Sequence, residues 1–195
     1  MQPLRPSIAA ALLALAPLLA TAEPVELAGV KLEDHATVNG TPLVLNGAGI
    51  RYKAIFKVYT AGLYLGNKAT TTEGVLGAPG PKRMTITMLR TINSAELGKL
   101  FSRGMEDNMD RNAFSKLIPG VIRMSQVFSN HKELKEGDSF VLDWMPGTGT
   151  VLTVKGAIEG EPFKEPEFFN ALMRIWLGPK PADWKLKEAL LGKTS

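Results

Sequence analysis

Residues 47–65 contain the side chains best suited to bind or polarise a small molecule. The segment opens Gly-Ala-Gly-Ile-Arg and continues as a β-type run that carries Lys57, Tyr59, Thr60 and Tyr64. Arg51 has a planar, permanently charged guanidinium that suits a carboxylate or phenolate oxygen. The hydroxyl groups of Tyr59, Thr60 and Tyr64 would be distributed over the two faces of such a strand. An anion-binding site is one interpretation of Arg51, and a salt-bridged surface arginine is the other.

The glycine spacing in this segment does not indicate a nucleotide site. Gly47 and Gly49 remove side chains where the backbone bends or approaches another group closely. A phosphate-binding loop has a further glycine and leads into a helix, whereas β-branched and aromatic residues follow here.

Cysteine and histidine usage argues against metal and thiol chemistry. The chain has no cysteine, which excludes disulfides, a thiol nucleophile and thiolate metal ligands. His35 and His131 have no second ligand three or four residues later. We therefore predict no metal site and no cofactor.

Residues 1–22 have the composition of a secretory signal peptide. Arg5 precedes an Ala/Leu-rich stretch, and Ala20-Thr21-Ala22 forms a small-x-small cleavage site. The apolar stretch is short for a membrane span and contains Pro17. Cleavage after Ala22 would give a secreted or periplasmic protein without stable membrane insertion; an uncleaved anchor is the alternative.

Charge and length indicate one domain without a nucleic-acid partner. The formal net charge is +4, and the basic residues are scattered among acids. A nucleic-acid-binding surface usually needs a basic stripe. Residues 23–195 lack an obvious linker and match the commonest size of a single domain.

The hydrophobic pattern predicts strands, then helices, then a hairpin, then helices. Alternation predicts strands within 25–45, 54–65, 83–92, 140–144 and 151–158, with a turn at Asn39-Gly40. Helical spacing predicts a turn at 72–76 and helices over 93–108, 111–129, 166–178 and 183–191. Asn93 with Glu96 is predicted to cap the first of these helices, and Pro119-Gly120 should break or kink the second. This order predicts an α+β fold, with one large antiparallel sheet covered on one face by helices.

Both ends of the chain resemble the chalcone isomerase-like superfamily. The resemblance rests on the Gly-x-Gly-x-Arg turn with residues 56–65, and on residues 176–181 and 187–192 near the C-terminus. It is strongest for the secreted bacterial branch. It implies an open-faced β-sandwich with a cleft between the sheet and the helices.

The resemblance also implies roles for individual residues. Arg51 matches the ligand-facing arginine, and Thr60 matches, after a one-residue deletion, a threonine that helps to polarise the substrate ketone. Tyr64 matches the tyrosine that ends the run; a half-buried core tyrosine is the alternative. We expect the strand face of Thr60 and Tyr64 to line the cleft, with Tyr59 and Lys57 on the opposite face.

The plant chalcone isomerases of this superfamily have further catalytic-site residues that are missing here. Ser94 and Phe101 stand where those enzymes have a tyrosine and an asparagine, and residues 168–171 lack the hydroxyl of the later helix. Asn93 and Asn108 are nearby but out of register.

These observations favour binding over catalysis. The first hypothesis is a non-catalytic protein that binds a fatty acid or similar anionic apolar ligand, with Arg51 at the head group and Tyr64 beside it. Its predicted apolar walls are Phe56, Val58, Leu97, Phe101, Met105 and Phe168. The alternative is a cofactor-free isomerase of the chalcone–flavanone type that uses Arg51, Thr60 and Tyr64. A scaffold with an unused cleft is a third option, and the natural ligand and oligomeric state stay open.

Overall fold

The computed structural model describes residues 24–193, which form a seven-stranded antiparallel sheet with helices over one face. Five helices are present among these residues: α1 (Thr72–Gly77), α2 (Ser94–Asp107), α3 (Arg111–Ser129), α4 (Pro166–Leu177) and α5 (Trp184–Leu190). The strands are β1 (Val25–Leu27), β2 (Val30–Leu32), β3 (His35–Val38), β4 (Thr41–Lys53), β5 (Phe56–Leu65), β6 (Lys82–Met88), β7 (Ile92–Asn93), β8 (Glu133–Leu134), β9 (Ser139–Met145), β10 (Gly149–Val154) and β11 (Ala157–Ile158). The order in the large sheet is β11-β10-β9-β6-β5-β4-β3. Two small sheets lie outside it: the hairpin β1-β2, and the antiparallel pair β7-β8, whose strands are separated in the chain by α2 and α3.

The main core lies between the sheet and the helices. On β6 the alternate residues Met84, Ile86 and Met88 are fully buried, as their period of two predicts. They pack in one cluster with residues of α2 and α4 such as Phe101 and Trp176. A smaller cluster on the other sheet face includes Leu43 and Tyr64. The predicted α+β, open-faced arrangement is confirmed.

The glycine-rich segment lies inside a strand. β4 continues to Lys53, and the chain turns at Ala54 and Ile55, so the predicted turn around Gly47 and Gly49 is wrong. The glycines allow α5 to cross the strand closely. A Cβ at Gly47 would meet the carbonyl oxygens of Ala189 and Leu190, and one at Gly49 would lie 2.8 Å from the Ala189 Cβ.

The helix boundaries follow the sequence signals with one exception. The Asn93 side chain accepts a hydrogen bond from the Glu96 N–H (3.0 Å), which confirms the predicted N-cap of α2. α3 continues through Pro119 and Gly120, so a break there is wrong, while a kink stays a prediction. Gly120 serves packing instead, since a Cβ there would lie 2.8 Å from the Phe168 ring.

Residues 1–22, the predicted signal peptide, lie outside the described residues. The single domain over 23–195 stays a prediction. Within 24–193, no helix has the length and apolarity needed to cross a membrane.

Candidate functional site

A cleft of about 520 Å³ opens between the sheet and α2. Its floor comes from the ends of β4 and β5, and one wall comes from α2. Residues 90–93 and the segment 180–182 complete the rim. The volume falls within the range of small-molecule sites in proteins.

Arg51 and Tyr59 lie side by side on the floor. They are directly opposite each other on β4 and β5, and cross-strand partners project to the same face. Both line the cleft, with Tyr59 buried and Arg51 half-buried. Arg51 donates from Nη1 to the Tyr52 carbonyl oxygen (2.8 Å), and none of the ion pairs found within 24–193 includes it. Its charge is therefore not neutralised by a described carboxylate.

The Tyr59 hydroxyl is oriented by Trp176. The indole Nε1–H donates to the Tyr59 oxygen at 2.8 Å. Since an indole N–H can only donate, the Tyr59 oxygen is the acceptor and its own proton is not used in this bond. That proton is free to point toward a ligand beside Arg51.

Burial keeps this hydroxyl protonated. Loss of solvent raises the pKa of Tyr59 to about 12, against the opposing effects of the Trp176 hydrogen bond and the Arg51 charge. Tyr59 is therefore a neutral hydrogen-bond donor at physiological pH.

The cleft has a positive charge excess. Five basic side chains line it against two acidic ones, Glu96 and Asp107, which leaves a formal +3. The basic residues are Arg51, Lys53, Arg90, Arg103 and Lys180. Such a lining attracts an anionic group to the rim.

An apolar surface lies beside this charge. Val58, Leu97, Leu100 and Ile175 line the cleft. Phe101 also lines it and makes edge contacts with Phe128, Phe140 and Trp176, each with ring centroids 5.5 Å apart. The aromatic cluster therefore fixes the deep end of the apolar wall.

Asn108 holds the rim segment in place. Its Nδ2 donates to the carbonyl oxygens of Gly104 (2.8 Å) and Lys180 (2.9 Å), and its Oδ1 accepts from the Lys180 N–H (2.7 Å). These three bonds fasten residues 180–182 to the end of α2. Asn108 thus shapes the cleft without being part of its lining.

The structure brings together only some of the residues predicted from the sequence. Arg51, Val58, Leu97 and Phe101 line the cleft. Val58 reaches it because β5 is bulged: Tyr59 pairs with Arg51 and Lys57 pairs with Tyr52, which leaves Val58 unpaired. A bulge interrupts the strict alternation of faces.

Thr60 and Tyr64 do not face the cleft, which corrects the predicted face assignment. Thr60 pairs with Ile50 and Thr87 and is one residue out of phase with Tyr59, so it projects to the other sheet face. Tyr64 belongs to the small cluster on that face, and its hydroxyl donates to the Glu33 carbonyl oxygen (3.0 Å).

Three predicted wall residues lie outside the cleft lining. Met105 and Phe168 are fully buried in the core, and Phe168 stacks on Phe163 with a centroid distance of 4.2 Å. Phe56 is exposed at the end of β5, where the Arg90 guanidinium lies 5.3 Å from its ring centroid.

Tyr59, Trp176 and Asn108 were missed as site residues. The signal for Tyr59 was present in the sequence: Ala61, Leu63 and Leu65 share its face and make that face the more apolar one. No such signal existed for Trp176 and Asn108, because their roles depend on contacts across 117 and 72 residues of chain.

The site offers a cation and a neutral hydroxyl donor at the end of an apolar cleft. Within 24–193 no group of three or more His, Cys, Asp or Glu side chains is arranged to hold a metal ion. The Arg51–Tyr59 pair can hold a carboxylate by charge-assisted hydrogen bonds. The apolar wall can cover a hydrocarbon group.

The fold and the cleft define an α+β protein with a cationic, partly apolar cleft between sheet and helices. The family model described as chalcone isomerase-like matches residues 24–192, and the chain belongs to that family. No curated protein matches the chain significantly. Among solved structures, a fatty-acid binding protein of Arabidopsis thaliana is similar at 15% identity and a TM-score of 0.70, over 87% of this chain and 96% of that one. This likeness supports the fold.

Proposed function

We propose that the protein is a non-catalytic carrier or sensor that binds a fatty acid, or a similar carboxylate with an apolar body, in the cleft. The carboxylate lies between the Arg51 guanidinium and the Tyr59 hydroxyl. The acyl chain runs along Leu97, Leu100 and Phe101 on α2.

One observation carries this proposal: Tyr59 and Arg51 line one cleft from adjacent strands, and the Tyr59 oxygen already accepts from Trp176, which leaves its own proton for another acceptor. A neutral ligand would leave the Arg51 charge without a counter-ion. A small hydrophilic anion would leave the apolar wall in contact with water.

The similar Arabidopsis thaliana structure adds support, since its title describes a fatty-acid binding protein. The chalcone isomerase-type alternative is weaker in its stated form. It needs Arg51 and Thr60 to act on one substrate, and the sheet separates them onto opposite faces.

The test is a calorimetric titration of the delipidated protein with dodecanoate and, separately, with dodecanol. We expect dodecanoate to bind and dodecanol to bind at least about tenfold more weakly, because a hydrogen bond to a charged group contributes about 1.5–3 kcal/mol. Arg51→Ala should weaken dodecanoate by about tenfold or more and leave dodecanol nearly unchanged.

The tyrosines supply a matched control. Tyr59→Phe should weaken dodecanoate by about fivefold, and Tyr64→Phe, on the other face, should leave its affinity unchanged. Equal affinity for the acid and the alcohol, or an effect of Tyr64→Phe that equals that of Tyr59→Phe, would contradict the proposal.

We also propose that the protein is exported and that residues 1–22 are removed. The support is the sequence pattern at Ala20-Thr21-Ala22. The intact mass of the protein recovered from cell fractions tests this. A secreted or periplasmic form that begins at Glu23 is expected, and an uncleaved form in the cytoplasmic fraction would refute it.

A further inference from the structure

The turn between β4 and β5 exposes apolar side chains where polar residues are usual. Ile55 at the turn is 84% exposed and Phe56 is 57% exposed, with Tyr52 also exposed. Ala54 takes a positive φ of 54°, a backbone conformation that favours glycine or asparagine. Exposed apolar groups of this kind mark a surface that contacts a partner.

The start of α5 extends this surface. The Asp183 carboxylate accepts a hydrogen bond from the Tyr52 N–H (2.9 Å), which ties Trp184 to the turn, and Trp184 is 60% exposed. We call Tyr52, Ile55, Phe56 and Trp184 the apolar tip.

Four basic residues adjoin the apolar tip: Arg90 and Lys187 lie against its rings, and Lys53 and Lys57 flank its hairpin residues in the chain. Arg90 lies over the Phe56 ring, and the Lys187 Nζ is 5.1 Å from the centroid of Trp184. The neighbouring acid, Asp183, is already engaged, since it accepts from the N–H groups of Tyr52, Lys185 and Leu186. The tip is therefore positively charged around an apolar centre.

We propose that the apolar tip docks on a lipid bilayer with anionic headgroups. Aromatic rings prefer the membrane–water interface, and each lysine or arginine near an anionic surface adds attraction. A protein partner fits less well, because a stable interface buries about 800 Å² on each side and a hairpin tip is narrow. Arg90 and Lys53 belong to both the tip's basic surround and the cleft rim, so docking would place the cleft mouth against the bilayer.

This inference goes beyond the proposed function and does not depend on it. The experiment is flotation of the exported form, residues 23–195, which lacks the apolar stretch of residues 1–22. The vesicles are of phosphatidylcholine alone, or of phosphatidylcholine mixed with phosphatidylglycerol. We expect binding to the mixed vesicles. The double variant Ile55→Ser/Trp184→Ser should reduce the partition coefficient by about tenfold or more, while dodecanoate binding stays unchanged.

Two matched variants serve as controls. Ile158→Ser removes another exposed isoleucine (70%, against 84% for Ile55) from β11, at the far edge of the sheet, and should leave partitioning unchanged. Lys57→Gln should weaken binding to the anionic vesicles by about fivefold, and Lys164→Gln should not. Thermal unfolding checks that each variant is folded.

Failure of the folded form with residues 23–195 to float with the mixed vesicles would overturn the proposal. So would equal flotation of the tip variant. A concentration-dependent dimer that Ile55→Ser abolishes, without vesicle binding, would overturn it and assign the surface to a second copy of the chain.

Discussion

Each face of the sheet carries an arginine and a tyrosine near β5, but the two pairs use their hydrogen-bonding groups differently. On the outer face, Arg83 donates from Nε and Nη2 to both carboxylate oxygens of Asp143, each at 2.7 Å. The Tyr64 hydroxyl donates to a backbone carbonyl. On the cleft face, Arg51 has no such ion pair with any residue between 24 and 193, and the Tyr59 proton is not used by its bond to Trp176. The outer pair stabilises the fold, and the inner pair retains its capacity for a ligand.

This difference is more informative than residue type. The sheet has an arginine close to a tyrosine on each face. The two pairs differ in whether their hydrogen-bond donors already have partners, and this difference distinguishes a structural pair from one that can bind a ligand. Variants on the two faces should therefore differ in stability as well as in binding.

The glycines of the two faces should differ most. Gly47→Ala places a Cβ against the backbone oxygens of Ala189 and Leu190, which cannot move without displacing α5. We expect a loss of about 3 kcal/mol or more in the free energy of unfolding, measured with urea. On the outer face, Gly62→Ala meets the movable Leu32 Cδ2 (2.5 Å) and should cost about 1 kcal/mol.

The control is Gly66→Ala, where nothing lies within 4 Å of the added Cβ. Its effect should stay within about 0.5 kcal/mol. A mild effect at Gly47 equal to that at Gly66 would mean that α5 does not hold its close position on β4.

Tyr59 and Tyr64 should also differ in how strongly they make the free energy of unfolding depend on pH. The folded-state pKa of Tyr59 is about 12 against an ordinary 10.0, because burial disfavours the phenolate. The stability that this contributes is complete below about pH 10 and is lost as the pH rises through about 12. The total loss reaches about 2.7 kcal/mol, since one pKa unit equals 1.36 kcal/mol.

Urea unfolding at a series of alkaline pH values measures this loss. Tyr59→Phe should flatten the decline relative to the unmodified protein. Burial also raises the pKa of Tyr64, so Tyr64→Phe is the comparison. We expect a smaller flattening because Tyr64 lies in the small outer cluster, whereas Tyr59 lies in the main core. An unchanged slope in Tyr59→Phe would show that the hydroxyl is not buried as described.

Removal of the arginines should give a smaller contrast in stability. Arg83→Ala leaves the nearly buried Asp143 carboxylate without its partner, and we expect a loss of about 2 kcal/mol, discounted for partial solvent exposure. Arg51→Ala removes one of five cations that line the cleft and should change stability by less than about 0.5 kcal/mol. Thermal and urea unfolding of both variants check this, and equal losses would erase the distinction between the two faces.

The architecture could be predicted from the sequence because buried residues recur with the period of a strand or of a helix. Met84, Ile86 and Met88 alternate on β6, and Asn93 precedes a run at helical spacing, so both elements were predicted from local pattern. Arg51 and Phe101 were also predicted, and both line the cleft. The family resemblance is confirmed; its secreted bacterial branch stays a prediction.

The predicted cleft face of β5 is wrong because it rests on the family resemblance, and the apolar pattern of the strand indicates the opposite face. Tyr59 shares its face with Ala61 and Leu63, which are fully buried, whereas Gly62 lies on the face of Thr60 and Tyr64. The bulges at Asn46 and Val58 also change which sheet face the neighbouring side chains occupy, and the pattern of residue types does not predict these bulges. Long-range contacts such as Trp176 with Tyr59 exist only once the helices have packed on the sheet.

Thr60 should give the smallest effect on stability. It also discriminates between the two faces, because its hydroxyl could contribute to binding only from the cleft. Its Oγ1 is buried and has no hydrogen-bond partner among residues 24–193. Thr60→Val keeps the shape and removes a hydroxyl whose burial is not compensated, so stability should be unchanged or rise by up to about 1 kcal/mol. Dodecanoate affinity should not change, since the side chain projects away from Arg51. A folded Thr60→Val protein with weakened binding would place this hydroxyl back in the cleft, and the division between the two faces would then be wrong.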